Sequence, residues 1–153
     1  MTEQKGLSWA EFAQASPKIA SFGEEKMREK DSLMYLATVR NNGYPRLHPF
    51  TPFPGEGHLF AFMEPTSPKA KDLIKRGRYA IHSSVADRMG SNGEFAISGT
   101  AGLVSDPSLR QAAFRACPYK AREDYICFEF FIESAMRNEY EKGEGLVKWK
   151  LGS

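Results

Sequence analysis

Phe60-Ala61-Phe62-Met63-Glu64-Pro65-Thr66-Ser67-Pro68-Lys69 takes the chain from a strand, through a short loop, into a helix. The apolar run up to Met63 reads as the end of a strand starting at His58. Ser67 supplies a capping hydroxyl, and Pro68 fits the first helical turn, where its missing N–H costs nothing. The helix is expected to run to Arg76 and stop at Gly77. A cation in the first turn, such as Lys69, is ordinarily disfavoured because the helix dipole is already positive there. With the Thr66 and Ser67 hydroxyls and free N–H groups, Lys69 forms a candidate site for an anion, above all a phosphate. The plainer alternative is a lysine pointing into water.

Upstream, Leu33 to Arg40 is rich in β-formers and mostly apolar on both alternating faces, as expected of a strand covered on both sides. Asn41-Asn42-Gly43 supplies a tight hairpin turn. The return strand, Tyr44 to Pro52, contains Pro45, Pro49 and Pro52, which suits an edge or bulged strand. Along it Arg46, His48 and Phe50 share one face, and Leu47, Pro49 and Thr51 the other. Arg46 has the planar donor fork that grips a phosphate or a flavin carbonyl; a solvent-facing edge arginine is the alternative. Pro54-Gly55-Glu56-Gly57 reads as the turn into the strand at His58. Nearer the N-terminus, Ser8-Trp9-Ala10-Glu11 has the form of a capping box, and Ser16-Pro17 restarts the helix. Ile19, Phe22 and Met27 give that helix an apolar side, with Glu24, Glu25, Lys26, Arg28 and Glu29 expected in solvent.

Downstream, Tyr79 to Val85 reads as a strand, Ala86 to Gly93 as a loop, and Glu94 to Val104 as a long strand whose Gly99 and Gly102 suggest bends or close backbone approach. Asp106-Pro107 opens a helix to about Ala116. Tyr125 to Met136 is a strongly apolar strand that continues toward Tyr140. Gly143-Glu144-Gly145 turns into a last strand, Leu146 to Leu151. Consecutive hairpins with helices at the corners point to an antiparallel barrel, not a doubly wound sheet. Residues 1–31 form an N-terminal helical segment and 32–153 the barrel, in one domain of 153 residues.

The composition is ordinary for a globular protein, 41% hydrophobic and 26% charged, with a net charge of +2. The basic run Lys69, Lys71, Lys75, Arg76 and Arg78 lacks interleaved aromatics, so no nucleic acid is expected. Cys117 and Cys127 have no metal or CxxC spacing and read as free thiols of a reducing cytoplasm. Neither a signal peptide nor a membrane span is expected, and no metal site. His48, His58 and His82 are candidates for acid–base work or haem ligation, each on a strand among apolar neighbours, where a structural histidine is the plainer reading. Trp149 and Tyr140 read as core or interface aromatics. No Ser-His-Asp order, carboxylate pair or dinucleotide fingerprint occurs.

The combination of Gly43-x-Pro45-Arg46, a hairpin, and Ser67-x-Lys69-Ala70 opening a helix resembles the pyridoxamine 5′-phosphate oxidase-like flavoproteins. The resemblance spans about Ser32 to Asp106. It implies a mainly β fold with short helices, an antiparallel split β-barrel of the FMN-binding type, working as an FMN-dependent oxidoreductase on a small molecule. It implies flavin contacts from Arg46, Leu47, His48, Pro49, Phe50 and Thr51 on one strand and Phe62 and Met63 on another. Ser67 and Lys69 match the phosphate-binding cap and lysine. The family also implies a homodimer with cofactor at the subunit interface, where Trp149 would reach a partner's ring. Pro68 stands in place of a second phosphate-binding arginine of the vitamin oxidase, and Glu94 in place of a flavin-contacting glutamine. The tail after Val147 lacks the oxidase's substrate-binding arginine, so vitamin B6 oxidation itself is not implied. Other members of the wider family use a deazaflavin, bind haem, or carry flavin without turnover. Flavin chemistry resides in the ring, which the protein need only bind, orient and tune; the missing acid–base constellation is consistent with that.

Overall fold

One long strand organises the sheet. β7 (Ile126–Glu139) pairs along one edge with β6 (Glu94–Leu103). Its other edge is shared in succession. Residues 126–129 pair with β4 (His58–Met63), and 134–139 pair with β8 (Gly145–Lys150). Between these, Leu7 exchanges two backbone bonds with Ile132, of 2.9 and 2.8 Å, and the Leu151 N–H reaches Glu133 O. A buried strand must satisfy its N–H and C=O groups, and along this second edge β7 does so with three separate parts of the chain.

The computed structural model describes residues 6–29, 33–140 and 145–153. The remaining strands are β1 (Met34–Val39), β2 (Pro45–Phe50), β3 (Phe53–Gly55) and β5 (Arg78–Ser83). All described pairings are antiparallel, in the order β2-β1-β5-β6-β7-β4-β3, with β8 beside β7. Four helices attach to this curled sheet: α1 (Trp9–Ala15), α2 (Pro17–Arg28), α3 (Pro68–Arg76) and α4 (Pro107–Ala116). The architecture is an antiparallel split β-barrel with short helices. The proline-bearing strand β2 does lie at a sheet edge, where lost N–H donors break no ladder. The expected turn at Gly143-Glu144 lies outside the described residues.

Each helix starts where local chemistry predicts. Ser8 and Glu11 form a reciprocal capping box; Ser67 and Asp106 cap α3 and α4, each followed by Pro. α3 ends at Gly77, whose φ of 71° is left-handed, a conformation that glycine adopts without a Cβ penalty. Inside the barrel, Leu36, Leu59, Ile81, Phe95, Phe128, Phe130 and Ile132 are fully buried, and Trp9, Phe12 and Ile19 of the N-terminal helices close one side. A second cluster joins Phe53, Phe60, Phe62 and Cys127 to α4.

Three expectations need correction. Lys26 is buried, 5% exposed, because its ammonium donates to Asn92 O and Glu29 Oε1 and lies 5.2 Å from the Phe22 ring centroid. The segment before His58 is more than a turn: Phe53 to Gly55 pairs with β4 as a short strand. β1 is covered on one face only: Met34, Leu36 and Thr38 are buried, while Tyr35 is 40% exposed. The strand enclosed on both faces is β4, because α4 covers its outer side.

Asp72 fastens α3 to the first hairpin. Its carboxylate is 5% exposed and accepts from Thr38 Oγ1 at 2.7 Å, Arg46 Nε at 2.8 Å and Arg76 Nη2 at 3.1 Å. Arg76 extends the tie to Val39 O and Asn41 Oδ1. Burial works to raise the Asp72 carboxyl. The bonds from Arg46 and Thr38, and the Arg46 charge, outweigh it and hold the group below its ordinary value. Asp72→Asn should therefore cost about 3 kcal/mol, the lower end for breaking a buried pair, since both arginines keep some solvent. The folded-state value is lowered, so this stabilisation is complete above the unfolded carboxylate value of about 3.9. It is lost as pH falls through the folded value, and urea titrations from pH 7 to pH 2 should show wild type and variant converging at the acid end.

β6 carries a register shift between Ser98 and Gly99. A Cβ at Gly99 would stand 2.1 Å from Phe131 O, whereas one at Gly102 would meet nothing nearer than 3.8 Å. Gly99→Ala is expected to lower stability by about 1–3 kcal/mol. Gly102→Ala should stay close to wild type; urea midpoints measured at unchanged m-value separate the two.

Candidate functional site

The strand-loop-helix segment between β4 and α3 borders a cavity of about 850 Å³. Phe62 and Met63 from the end of β4, Pro49 and Phe50 from β2 with Thr51 just after it, and Lys69 from α3 line it. Two further walls were not anticipated: Met27, Arg28 and Glu29 at the end of α2, and Pro118, Tyr119 and Tyr125 between α4 and β7. Nothing in their local sequence marks them, because only the long-range packing of α2 and of the segment after α4 brings them here.

At the helix end of the cavity, Ser67 Oγ accepts from the Ala70 N–H at 3.4 Å, and Pro68 has no N–H. The Lys69 N–H is left as a first-turn donor with no partner among the described residues. The half-buried Lys69 ammonium likewise makes no hydrogen bond or ion pair among them. Burial pushes its pKa down, with Glu64 acting in the opposite sense. An anion at this point would oppose that displacement and satisfy both donors.

Arg46, His48 and Phe50 form one stripe on β2, leading to the cavity at Phe50. Arg46 is held through Nε by Asp72, and its terminal nitrogens have no partner among the described residues. That leaves an oriented donor fork on a half-buried side chain, 24% exposed. His48 is also half-buried, and its pKa is pushed down by burial first, then by the positive charges of Lys69 and Arg46, against the pull of Asp72. Burial and the two neighbouring cations thus favour its neutral imidazole form.

The other expected site residues lie elsewhere. Leu47, on the opposite face of β2, lines a separate apolar groove of about 660 Å³ on the outer side of the sheet, together with Tyr35, Met136 and Trp149. Trp149 also packs its ring edge-on against Phe12, with centroids 5.2 Å apart. Glu94 lies at the start of β6, accepting from Tyr140 Oη at 2.6 Å, with His82 Nε2 3.8 Å away. His82 Nδ1 is 2.7 Å from Ser83 O, and His58 Nδ1 is 2.6 Å from the buried carboxylate of Glu129. Only His48, of the three histidines, adjoins the cavity stripe. Tyr119 Oη accepts from the Phe62 N–H at 3.3 Å, fixing the third wall to β4, and burial pushes its phenol pKa up.

No protein-family model matches the chain, and no curated protein matches it in sequence. Solved structures do match. A heme binding protein from Mycobacterium smegmatis aligns with 84% of this chain at a TM-score of 0.63 and 17% identity. The match takes in 57% of that protein, so this chain spans little more than half its length. A pyridoxamine 5′-phosphate oxidase-related, FMN binding protein from Nostoc punctiforme aligns at 0.61 and 16% identity, over 90% of this chain and 88% of that one. A Clostridium acetobutylicum protein related to general stress protein 26, of the pyridoxinephosphate oxidase family, aligns at 0.58 and 14% identity, over 93% and 96%. No described helix is long and apolar enough to cross a membrane. This structural likeness, together with the curled antiparallel sheet, gives this chain the split β-barrel fold of the pyridoxamine 5′-phosphate oxidase-like proteins.

Proposed function

We propose that this chain binds FMN in the 850 Å³ cavity and works as a cytoplasmic FMN-dependent oxidoreductase on a small-molecule substrate. The observation that carries the reading is Lys69: a half-buried cation, without an ion pair among the described residues, in the first turn of a capped helix at the cavity wall. The FMN binding neighbour from Nostoc punctiforme supports flavin as the ligand class. The residues present fit such a group. The volume lies in the range for cofactor-sized ligands, a cationic end suits a phosphate, and Phe50, Phe62 and Met63 offer apolar walls to a ring.

Bound flavin would supply the electron-transfer chemistry of its ring. This chain's own residues bind and orient. Lys69 and its backbone N–H hold the phosphate, and Ser67 fixes the helix start. The Arg46 fork, aimed by Asp72, presents two N–H donors to a phosphate or ring carbonyl. Phe62, held by Tyr119, keeps the wall in place. Haem is the second reading. It is favoured by His48, kept neutral beside the cavity as a metal ligand must be, and by the heme binding neighbour. The absorption spectrum of the purified protein separates the two: flavin gives paired blue and near-ultraviolet bands, haem a Soret band.

A second copy of the chain fits the outer groove. Tyr35 and Leu47 are 40% and 68% exposed there, beside Met136 and Trp149, and contiguous apolar surface of this kind marks an association site. We therefore expect a homodimer, with light scattering giving twice the 17.2 kDa chain mass at micromolar concentration; a single-chain mass would remove it. For the cofactor, Lys69→Ala should weaken FMN about ten- to hundredfold, the value of a charge-assisted contact. Riboflavin, which has no phosphate, should bind wild type and variant alike in a fluorescence-quenching titration. Equal losses for both ligands would assign Lys69 to the ring pocket or the fold.

A further inference from the structure

We infer that Arg28, at the last turn of α2, is a second phosphate-binding cation of the cavity, so that the site takes a phosphate monoester as a dianion between Lys69 and Arg28. The inference rests on the proposed flavin reading and deepens it. α3 begins with an uncharged proline and offers one cation, Lys69, in its first turn. A phosphate monoester carries close to two negative charges at neutral pH, and one ammonium matches half of that.

The structure brings a guanidinium to the same cavity from a helix distant in sequence. Met27, Arg28 and Glu29 form the wall contributed by α2. Among the described residues, the charges lining the cavity are Arg28, Glu29, Glu64 and Lys69. Glu29 is engaged by the buried Lys26, Oε1 to Nζ at 3.2 Å. Glu64 is turned to its own loop, accepting from the Thr66 N–H at 3.2 Å and from Thr66 Oγ1. Among the described residues Arg28 has only a loose pair, 3.7 Å from Glu24 Oε2, and it is 65% exposed. Both acids are thus occupied within the protein, while both cations keep donors for a ligand. Arg28 is exposed at the cavity wall, so rotation of its side chain would let its planar fork close bidentately on phosphate oxygens, a geometry an ammonium does not offer.

The test titrates FMN and riboflavin, by fluorescence quenching, into full-length wild type, Arg28→Ala, Arg28→Lys and Glu24→Gln. Thermal melts confirm folding, which the exposed position of Arg28 protects. Arg28→Ala is expected to weaken FMN about tenfold and leave riboflavin unchanged. Its FMN affinity should also fall less steeply with added salt than that of wild type. Arg28→Lys should recover part of the loss, and Glu24→Gln, which releases Arg28, should bind FMN at least as well as wild type. Wild-type FMN affinity retained in Arg28→Ala would overturn the inference and leave the flavin reading standing. Equal losses for FMN and riboflavin would also overturn it, making Arg28 a wall residue. A wild type that binds neither flavin would overturn the flavin reading, and the ligand named here with it.

Discussion

The buried carboxylate of Asp72 is the interaction on which the geometry of the cavity depends. It collects donors from β1, β2 and α3 itself: Thr38, Arg46 and Arg76. A carboxylate so enclosed is tolerable only when its oxygens are filled by charged or strong donors, so the three elements are locked in one arrangement. Lys69 stands three residues earlier on the same helix and is therefore delivered to the cavity wall. Arg46 is held by one nitrogen, which aims its remaining fork without using it up. Asp72 offsets part of the positive charge of Arg46 and Arg76, and Lys69 is left without such an internal partner among the described residues.

The sheet treats its two faces unequally. β4 is enclosed on both sides, by the barrel interior and by the aromatic cluster under α4. It therefore makes a rigid floor for Phe62 and Met63. β1 is closed on the inner face only, and its outer face, with β5 to β8, remains an apolar groove. Both strands look alike as runs of apolar residues. The difference lies in what the rest of the chain places over them.

Much of the architecture is legible locally because it is punctuated locally. Ser-x-x-Glu, Ser-Pro and Asp-Pro open helices; Gly77 closes one; Asn42-Gly43 turns a hairpin; Gly99 marks the bulge. Each is a short-range requirement of backbone geometry, visible within a few residues. The cavity is only half legible for the opposite reason. Phe50, Thr51, Phe62, Met63 and Lys69 lie close together along the chain and could be grouped, whereas Arg28, Tyr119 and Tyr125 come from segments on either side of the barrel. Leu47 and Trp149 line the outer groove, and Glu94 sits with Tyr140 near the start of β6. Strand alternation separates Leu47 from its neighbours, but nothing in the chain fixes which face will meet the cavity.

Two lysines show how differently the structure treats two cations withdrawn from water. Lys26 is the more deeply buried, and the fold accommodates it completely: a carbonyl from the loop before β6, the Glu29 carboxylate and the face of Phe22 surround its ammonium. That is the ordinary solution for a cation withdrawn from water, since desolvation is offset by acceptors placed within the chain. Lys69 is half-buried yet lacks a hydrogen-bonded or ion-paired partner among the described residues, and the helix dipole opposes it further. Glu64 is near enough to act on it electrostatically but bonds to Thr66 instead. A sequence able to pair Lys26 so fully could have paired Lys69 by turning Glu64 toward it. Lys69 thus carries an electrostatic cost that an anion at the cavity wall would offset.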